Sequence, residues 1–197
     1  MAGLQEGDTI FFIAAPEKAA CIYAGQIRNE LGSRLDLLEK DAYRFCYIND
    51  FPMYEIDEET GKLGFTHNPF SMPQGGLEAL NEKDPLDILA YQYDIVCNGV
   101  ELSSGAVRNH DMEIMEKAFD IAGYDKETLK DKFGALYNAF QFGAPPHAGM
   151  APGVDRMIML LRNEENIREI IAFPMSGTAQ DLMCGAPNEI TEQQLRE

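Results

Sequence analysis

The sequence predicts an α+β fold, a mainly antiparallel sheet flanked by helices, with a small strand-helix layer at the N-terminus. Three observations carry that prediction. Apolar-rich runs flank Asn98-Gly99, and Asn-Gly between such runs is the strongest short-range hairpin signal, because a type I′ turn needs positive φ at both central residues. Two helical stripes follow, one through Met115, Ala118, Phe119 and Ala122, the other through Leu129, Phe133, Leu136, Tyr137 and Phe140. At the other end, residues 9–14 (Thr-Ile-Phe-Phe-Ile-Ala) read as a buried strand and run directly into a helix opened by Pro16.

Composition sets the limits. The 197 residues suffice for one domain and a small appendage. A hydrophobic share of 45% and a charged share of 25% are those of an ordinary soluble globular protein. The formal net charge of −17 argues against a large basic nucleic-acid surface, while leaving room for one basic pocket. No apolar run is long enough to span a bilayer, and the polar opening residues carry no secretory leader pattern. Cys21, Cys46, Cys97 and Cys184 lie far apart without a CxxC, and read as reduced, mostly buried cytosolic thiols. A cytoplasmic protein is expected.

In chain order, Ile27, Leu31 and Leu35 give the first helix its apolar stripe. The pattern breaks over residues 39–43, which places a soft boundary there. Residues 44–48 read as a second strand, ended by Asn49-Asp50-Phe51-Pro52, and residues 53–56 as a short third one. Residues 57–61 form a solvated turn. Pro69 and Pro73 push their predecessors out of the helical region, so residues 65–73 read as loop. Within it, His67 and Asn68 are able to donate hydrogen bonds to a carboxylate or phosphate, or simply to face water. Residues 75–85 continue as loop and short turn. After the hairpin, Asn109-His110-Asp111 forms a turn and N-cap, Gly123 ends the first helical stripe, and Asp125 or Lys126 restarts helix. Residues 143–156 are dense in glycine and proline, and an apolar helix follows through Met157, Ile158, Met159, Leu160 and Leu161. Residues 170–173 read as a last strand ended by Pro174, and Thr191 caps a short helix.

Two places carry chemistry. A uniform hairpin register pairs Cys97 with Val100, Val96 with Glu101, Ile95 with Leu102 and Asp94 with Ser103. One face then carries Ile95, Cys97, Val100 and Leu102, and the other Asp94, Val96, Glu101 and Ser103. Asp94 and Glu101 become diagonal neighbours, roughly 7–8 Å apart at Cα. Oxygen ligands without His or Cys suit a hard cation such as Mg²⁺, and a solvated polar face is the other reading. The second place is Arg156, in the first turn of the apolar helix, where the helix dipole disfavours a cation. It needs an anionic partner. A phosphate approaching the small residues before the helix satisfies that need, and so does a structural carboxylate.

Beyond these readings, residues 143–161 resemble motif 3 of the class II aminoacyl-tRNA synthetases, in the form Gly-Ala-Pro-Pro-His-Ala-Gly followed by Gly-Val-Asp-Arg. The run Ile167-Arg168-Glu169-Ile170-Ile171-Ala172-Phe173-Pro174, the run from Asn98 to Arg108, and Thr66-His67-Asn68-Pro69-Phe70 are similar to the bacterial-type aspartyl-tRNA synthetase family. The similarity extends over essentially the whole chain. It implies that Asp94 and Glu101 hold Mg²⁺ against ATP, and that Arg108 grips the side-chain carboxylate of aspartate. It implies that Gly153, Val154, Asp155 and Arg156 bind ATP, with Arg156 bracing its phosphates. His67 and Asn68 then close near the aspartate, and Ser103, Ser104 and Gly105 line its pocket. The catalytic set is Glu101, Arg108 and Arg156.

The implied reaction activates L-aspartate with ATP to aspartyl-adenylate and transfers it to tRNA, in a homodimeric parent. Departures are Asn68, where many members have a second histidine, and Ser103-Ser104-Gly105, where they have three glycines. Motifs 1 and 2 and the anticodon-binding domain have no counterpart in the sequence. The resemblance therefore implies the end of the bacterial insertion domain at residues 1–43 and the C-terminal part of the catalytic domain at 44–197, inactive alone. Two rival readings are a non-catalytic nucleotide- or partner-binding module and an asparagine-handling relative. Arg108 argues against the latter, since a neutral amide does not call for a guanidinium.

Overall fold

The computed structural model describes residues 3–196; residues 1, 2 and 197, at the outer bounds of the two expected domains, lie outside the described residues. The chain divides into two compact units, Met1–Tyr43 and Arg44–Glu197.

The first unit is built on α1 (Glu17–Arg34), with Pro16 at its N-cap, φ −51°, where a missing N–H removes nothing from the helix ladder. Ile27 and Leu31 are half-buried. Leu35 lies just past the helix and is 62% exposed, so the expected stripe is one residue shorter. Residues 9–14 do not form the expected strand, and Phe12 is 87% exposed. A strand needs a neighbouring edge for its N–H and C=O groups, and the first unit has no strand among its described residues.

The second unit contains β1 (Phe45–Pro52), β2 (Tyr54–Ile56), β3 (Leu63–Phe65), α2 (Gly76–Glu82), β4 (Leu89–Cys97), β5 (Val100–Val107), α3 (Met112–Ile121), α4 (Lys126–Phe140), β6 (Ala148–Pro152), α5 (Val154–Leu161) and α6 (Glu192–Arg196). Its main sheet has the order β1-β4-β5-β6, antiparallel throughout, and β2 and β3 form a separate hairpin. This is the α+β architecture expected, with several elements differing from their expected form.

β1 does not stop at Ile48. Asp50 takes φ +60° and the register shifts between Asn49 and Phe51, so a bulge carries the strand on to Pro52. Phe65, expected in loop, ends β3. Between β2 and β3, Asp57 Oδ1 accepts from the backbone N of Glu59 at 3.0 Å and of Thr60 at 2.6 Å, making the solvated turn. α2 stands where a loop was expected. Gly75 and Gly76 precede and open it at φ +86° and +57°, so no side-chain cap announces it, and burial of Ala79 and Leu80 holds it. β6 forms from Ala-Gly-Met-Ala-Pro, residues of low strand propensity, through pairing with β5. Residues 170–173 are not a strand; a 3₁₀ turn over Ile167–Glu169 leads into bends. The four thiols are free, but only Cys97 is buried. Cys46 lies on the outer strand β1, Cys21 on α1 and Cys184 in the C-terminal segment.

The core forms where the helical stripes predicted. Asp111 caps α3 through Glu113 N (2.9 Å) and Ile114 N (3.3 Å), Gly123 ends it at φ +81°, and Asp125 caps α4 through Thr128 N (2.7 Å). Met115, Phe119, Leu129 and Tyr137 are buried together, and the Phe119 ring lies 4.9 Å from Phe65 and 5.5 Å from Phe70. Leu80 of α2, Ala90 of β4 and Ala118 of α3 join a second cluster with Met53, Tyr54 and Ile88, which seats the helices on the sheet. Thr191 caps α6 as expected, its hydroxyl accepting from Gln194 N at 3.3 Å. Among the described residues no helix is long and apolar enough to cross a membrane.

Candidate functional site

The β4–β5 hairpin turns at Asn98 (φ +51°) and Gly99 (φ +81°), as a type I′ turn requires. Cys97 pairs with Val100 and Val96 with Glu101. The uniform register then fails. Ile95 pairs with Ser103 and Asp94 with Ser104, leaving Leu102 as the extra residue of a bulge. Leu102 and Ser103 are both buried, and burial of the Leu102 side chain offsets the irregular ladder. The expected partner of Asp94, Ser103, therefore moves to the opposite face, and Ser104 takes its place.

The resulting face carries Gln92, Asp94 and Val96 of β4 beside Ala106, Ser104 and Glu101 of β5. Ala151 and Gly149 of β6 continue the rows of Ser104 and Ala106. Asp94 and Glu101 keep a common face in spite of the bulge. Arg108 follows two residues after Ala106. Its N–H donates to His147 O at 2.9 Å, and it bridges to Ser71.

That bridge brings in the loop after β3. Asn68 folds it, its Oδ1 accepting from Phe70 N at 3.0 Å and its carbonyl from Ser71 N at 3.2 Å. The same carbonyl receives Gln92 Nε2 at 3.4 Å, so the loop is tied to the site face. His67 is exposed and meets the Phe51 ring edge-on at 5.1 Å. Gln92, only 6% exposed, went unnoticed in the sequence. Its signal was a polar residue in step with Ala90 and Asp94 on a largely apolar strand.

Arg108 is half-buried, and among the described residues its guanidinium has no hydrogen-bond or ion-pair partner. Partial removal of a cation from water is unfavourable until an anion or acceptor meets it. A guanidinium in that state is chemically suited to grip a carboxylate in a planar fork.

Gly153 precedes α5, and its N–H donates to Leu102 O at 2.7 Å. A Cβ there would meet Leu102 O at 3.4 Å and Arg156 Cδ at 3.5 Å, ordinary contact distances, so the arginine stem packs directly over this position. Arg156 Nη1 donates to Glu101 O at 2.8 Å and to Glu101 Oε1 at 3.0 Å, with side chains 44% and 47% exposed respectively. Of the two partners open to Arg156, the free chain shows the carboxylate. Val154 and Asp155 stand exposed beside it.

Gly105 is required by close approach. A Cβ would lie 2.4 Å from Tyr93 Cε2 and 2.5 Å from Gly149 O. Ser104 is exposed on the site face, while Ser103 is buried on the other, its hydroxyl without a partner among the described residues.

Asp94 and Glu101 supply only oxygen donors. Among the described residues no three His, Cys, Asp or Glu gather to hold a metal. A cation here would complete its shell with phosphate and water, which is how Mg²⁺ is commonly held. The pair fits that ion.

Residues 14–177 match the family described as tRNA synthetases class II (D, K and N). An aspartate–tRNA(Asp/Asn) ligase of Zymomonas mobilis is 62% identical over 195 residues, covering 99% of this chain and 33% of that protein. An aspartate–tRNA ligase of Streptomyces coelicolor is 61% identical, covering 98% of this chain and 33% of that protein. The chain thus spans about a third of the length of these relatives. The solved aspartyl-tRNA synthetase of Entamoeba histolytica superposes with a TM-score of 0.52 at 24% identity, over 89% of this chain and 29% of that one, which establishes a common fold.

Proposed function

The chain belongs to the class II tRNA synthetases (D, K and N), and from that premise we propose that it forms the C-terminal portion of the catalytic domain of an aspartate–tRNA ligase. Residues 1–43 are then the end of an insertion domain of the bacterial type. The observation that carries the reading is the half-buried Arg108 guanidinium, without a protein partner among the described residues, beside a face with two carboxylates.

The roles are those the family resemblance implies, and the geometry supports them. Arg108 grips the side-chain carboxylate of L-aspartate. His67 and Asn68 close over it, in a loop held to the sheet through Gln92. Ser104 and the main chain at Gly105 line the pocket floor, and Ser103 supports it from behind. Arg156 braces the phosphates of ATP, with Gly153, Val154 and Asp155 shaping that end. Asp94 and Glu101 would hold Mg²⁺, which neutralises phosphate charge when bound. The aspartate α-carboxylate attacks the α-phosphorus of ATP, and pyrophosphate leaves with the electron pair of the broken P–O bond. A hydroxyl of the terminal tRNA ribose then attacks the acyl carbon, and AMP departs. Positioning and charge neutralisation supply the catalysis, with no protein nucleophile.

The parent of this reading is a cytoplasmic homodimer acting on ATP, L-aspartate and tRNA. Two thirds of the relatives' length lies outside this chain, so the isolated chain does not aminoacylate. Aspartate-dependent ATP–pyrophosphate exchange by the chain alone would overturn that statement. The site itself is tested by calorimetric titration with a non-hydrolysable aspartyl-adenylate analogue. Binding that requires Mg²⁺ and is lost in Glu101→Ala and Arg108→Ala is expected. Absence of binding, or binding indifferent to both substitutions, counts against the assignment.

A further inference from the structure

One nitrogen of Arg156 holds two acceptors of the same residue, the carbonyl of Glu101 at 2.8 Å and its Oε1 at 3.0 Å. We propose that Arg156 masks Glu101 in the free site, so that binding of a divalent cation and of a polyphosphate are coupled through exchange of partners at this pair. The inference rests on the reading of Glu101 as a cation ligand and adds a mechanism to it.

The two bonds have different fates. The carbonyl is fixed on β5, whereas the carboxylate turns about its own side-chain bonds. Glu101 is therefore able to swing toward a cation while Arg156 stays anchored to the strand. A guanidinium has five N–H donors, and among the described residues only Nη1 of Arg156 is engaged. The remaining donors are available to phosphate oxygens without loss of the anchor.

Charge bookkeeping then makes the two ligands cooperative. A cation arriving alone must separate Glu101 from Arg156 and leaves the guanidinium facing another positive charge. A polyphosphate arriving alone takes the guanidinium and leaves Glu101 beside another negative charge. When both arrive, each charge gains an opposite partner. Such coupling is reciprocal, raising the affinity for either ligand by the same factor when the other is present.

The test is a double-mutant cycle read by Mn²⁺ water-proton relaxation on the full chain without nucleotide. Arg156 is exposed, and a cation in the first turn is disfavoured by the helix dipole, so Arg156→Gln spares the fold, and Arg156→Ala serves as a second variant. Unmasking should tighten Mn²⁺ binding about two- to fivefold in Arg156→Gln, the range expected for a half-exposed ion pair. The gain should vanish in the Glu101→Gln background. An equal gain in both backgrounds would reflect general charge removal and would overturn the coupling, as would no gain at all. Unchanged Mn²⁺ affinity in Glu101→Gln alone would instead overturn the assignment of Glu101 as a ligand, and the coupling with it.

Discussion

Tyr93 and Gly149 are joined across an intervening strand. The Tyr93 hydroxyl, carried on β4, donates to Gly149 O on β6 at 3.0 Å, and its ring passes over Gly105 of β5 on the way. Of the run Ser103-Ser104-Gly105, only the last position is forced to be glycine by this crossing. Gly105→Ala should therefore destabilise the chain by at least about 2 kcal/mol, because backbone as well as a ring blocks the added methyl. Tyr93→Phe, which removes one hydrogen bond, should cost about 1 kcal/mol. Chemical denaturation of the two variants checks the order.

Ser103 and Ser104 should separate cleanly. Ser103 buries a hydroxyl that has no partner among the described residues, on the face away from Asp94. Ser103→Ala should leave stability unchanged or raise it by up to about 1 kcal/mol, since an unmet buried polar group is removed. Ser104→Ala should spare stability and weaken binding of the adenylate analogue. Equal effects of the two on binding would contradict the bulged register.

Acid should unfold the chain in part through Glu116. Burial opposes its ionisation, but hydrogen bonds from Lys126 and Tyr137 and the charges of Lys126 and Lys130 outweigh that and hold its carboxyl below the usual 4.5. Lys126 Nζ stands 2.7 Å from Glu116 Oε1. A carboxyl with a depressed folded pKa stabilises above its unfolded pKa, and that stability is lost as pH falls through the folded value. Stability measured from pH 6 downward should fall less steeply in Glu116→Gln than in the native chain.

The Asp111 cap should matter because α3 carries Met115, Ala118 and Phe119 into the core. Asp111→Ala should cost about 1 kcal/mol and Asp111→Asn much less, since an amide oxygen caps comparably. Thermal unfolding of the pair tests this.

Much of the fold was legible because its signals are local. Asn98-Gly99 dictates its own turn, and the stripes on α3 and α4 name their buried residues. What was hidden depends on partners distant in sequence. β6 is a strand only because β5 offers an edge, while residues 9–14 and 170–173 carry strand-like side chains without one. α2 begins at two glycines of positive φ and so lacks a capping signal. The Leu102 bulge has no sequence mark, and it alone decides that Ser104 rather than Ser103 lies opposite Asp94. Asp94, Glu101, Arg156, His67 and Asn68 stood out from spacing and position, whereas Arg108, Ser103, Ser104, Gly105 and the residues before Arg156 were named by resemblance. The move of Ser103 to the opposite face, the Gln92 tether and the Arg156–Glu101 pair emerged from the structure.

The central claim is that this chain carries the aspartate-recognising part of a ligase site, with Arg108 as the grip. It is tested most directly by exchanging the matching third of the Zymomonas mobilis relative for this chain and measuring aspartate-dependent tRNA aminoacylation. The account predicts a chimera that aminoacylates with aspartate. It also predicts an Arg108→Ala version whose kcat/KM for aspartate falls about a hundredfold or more, the scale expected when one partner of a desolvated charge pair is truncated. A folded chimera without activity, or an Arg108→Ala chimera with unchanged kcat/KM for aspartate, would contradict it.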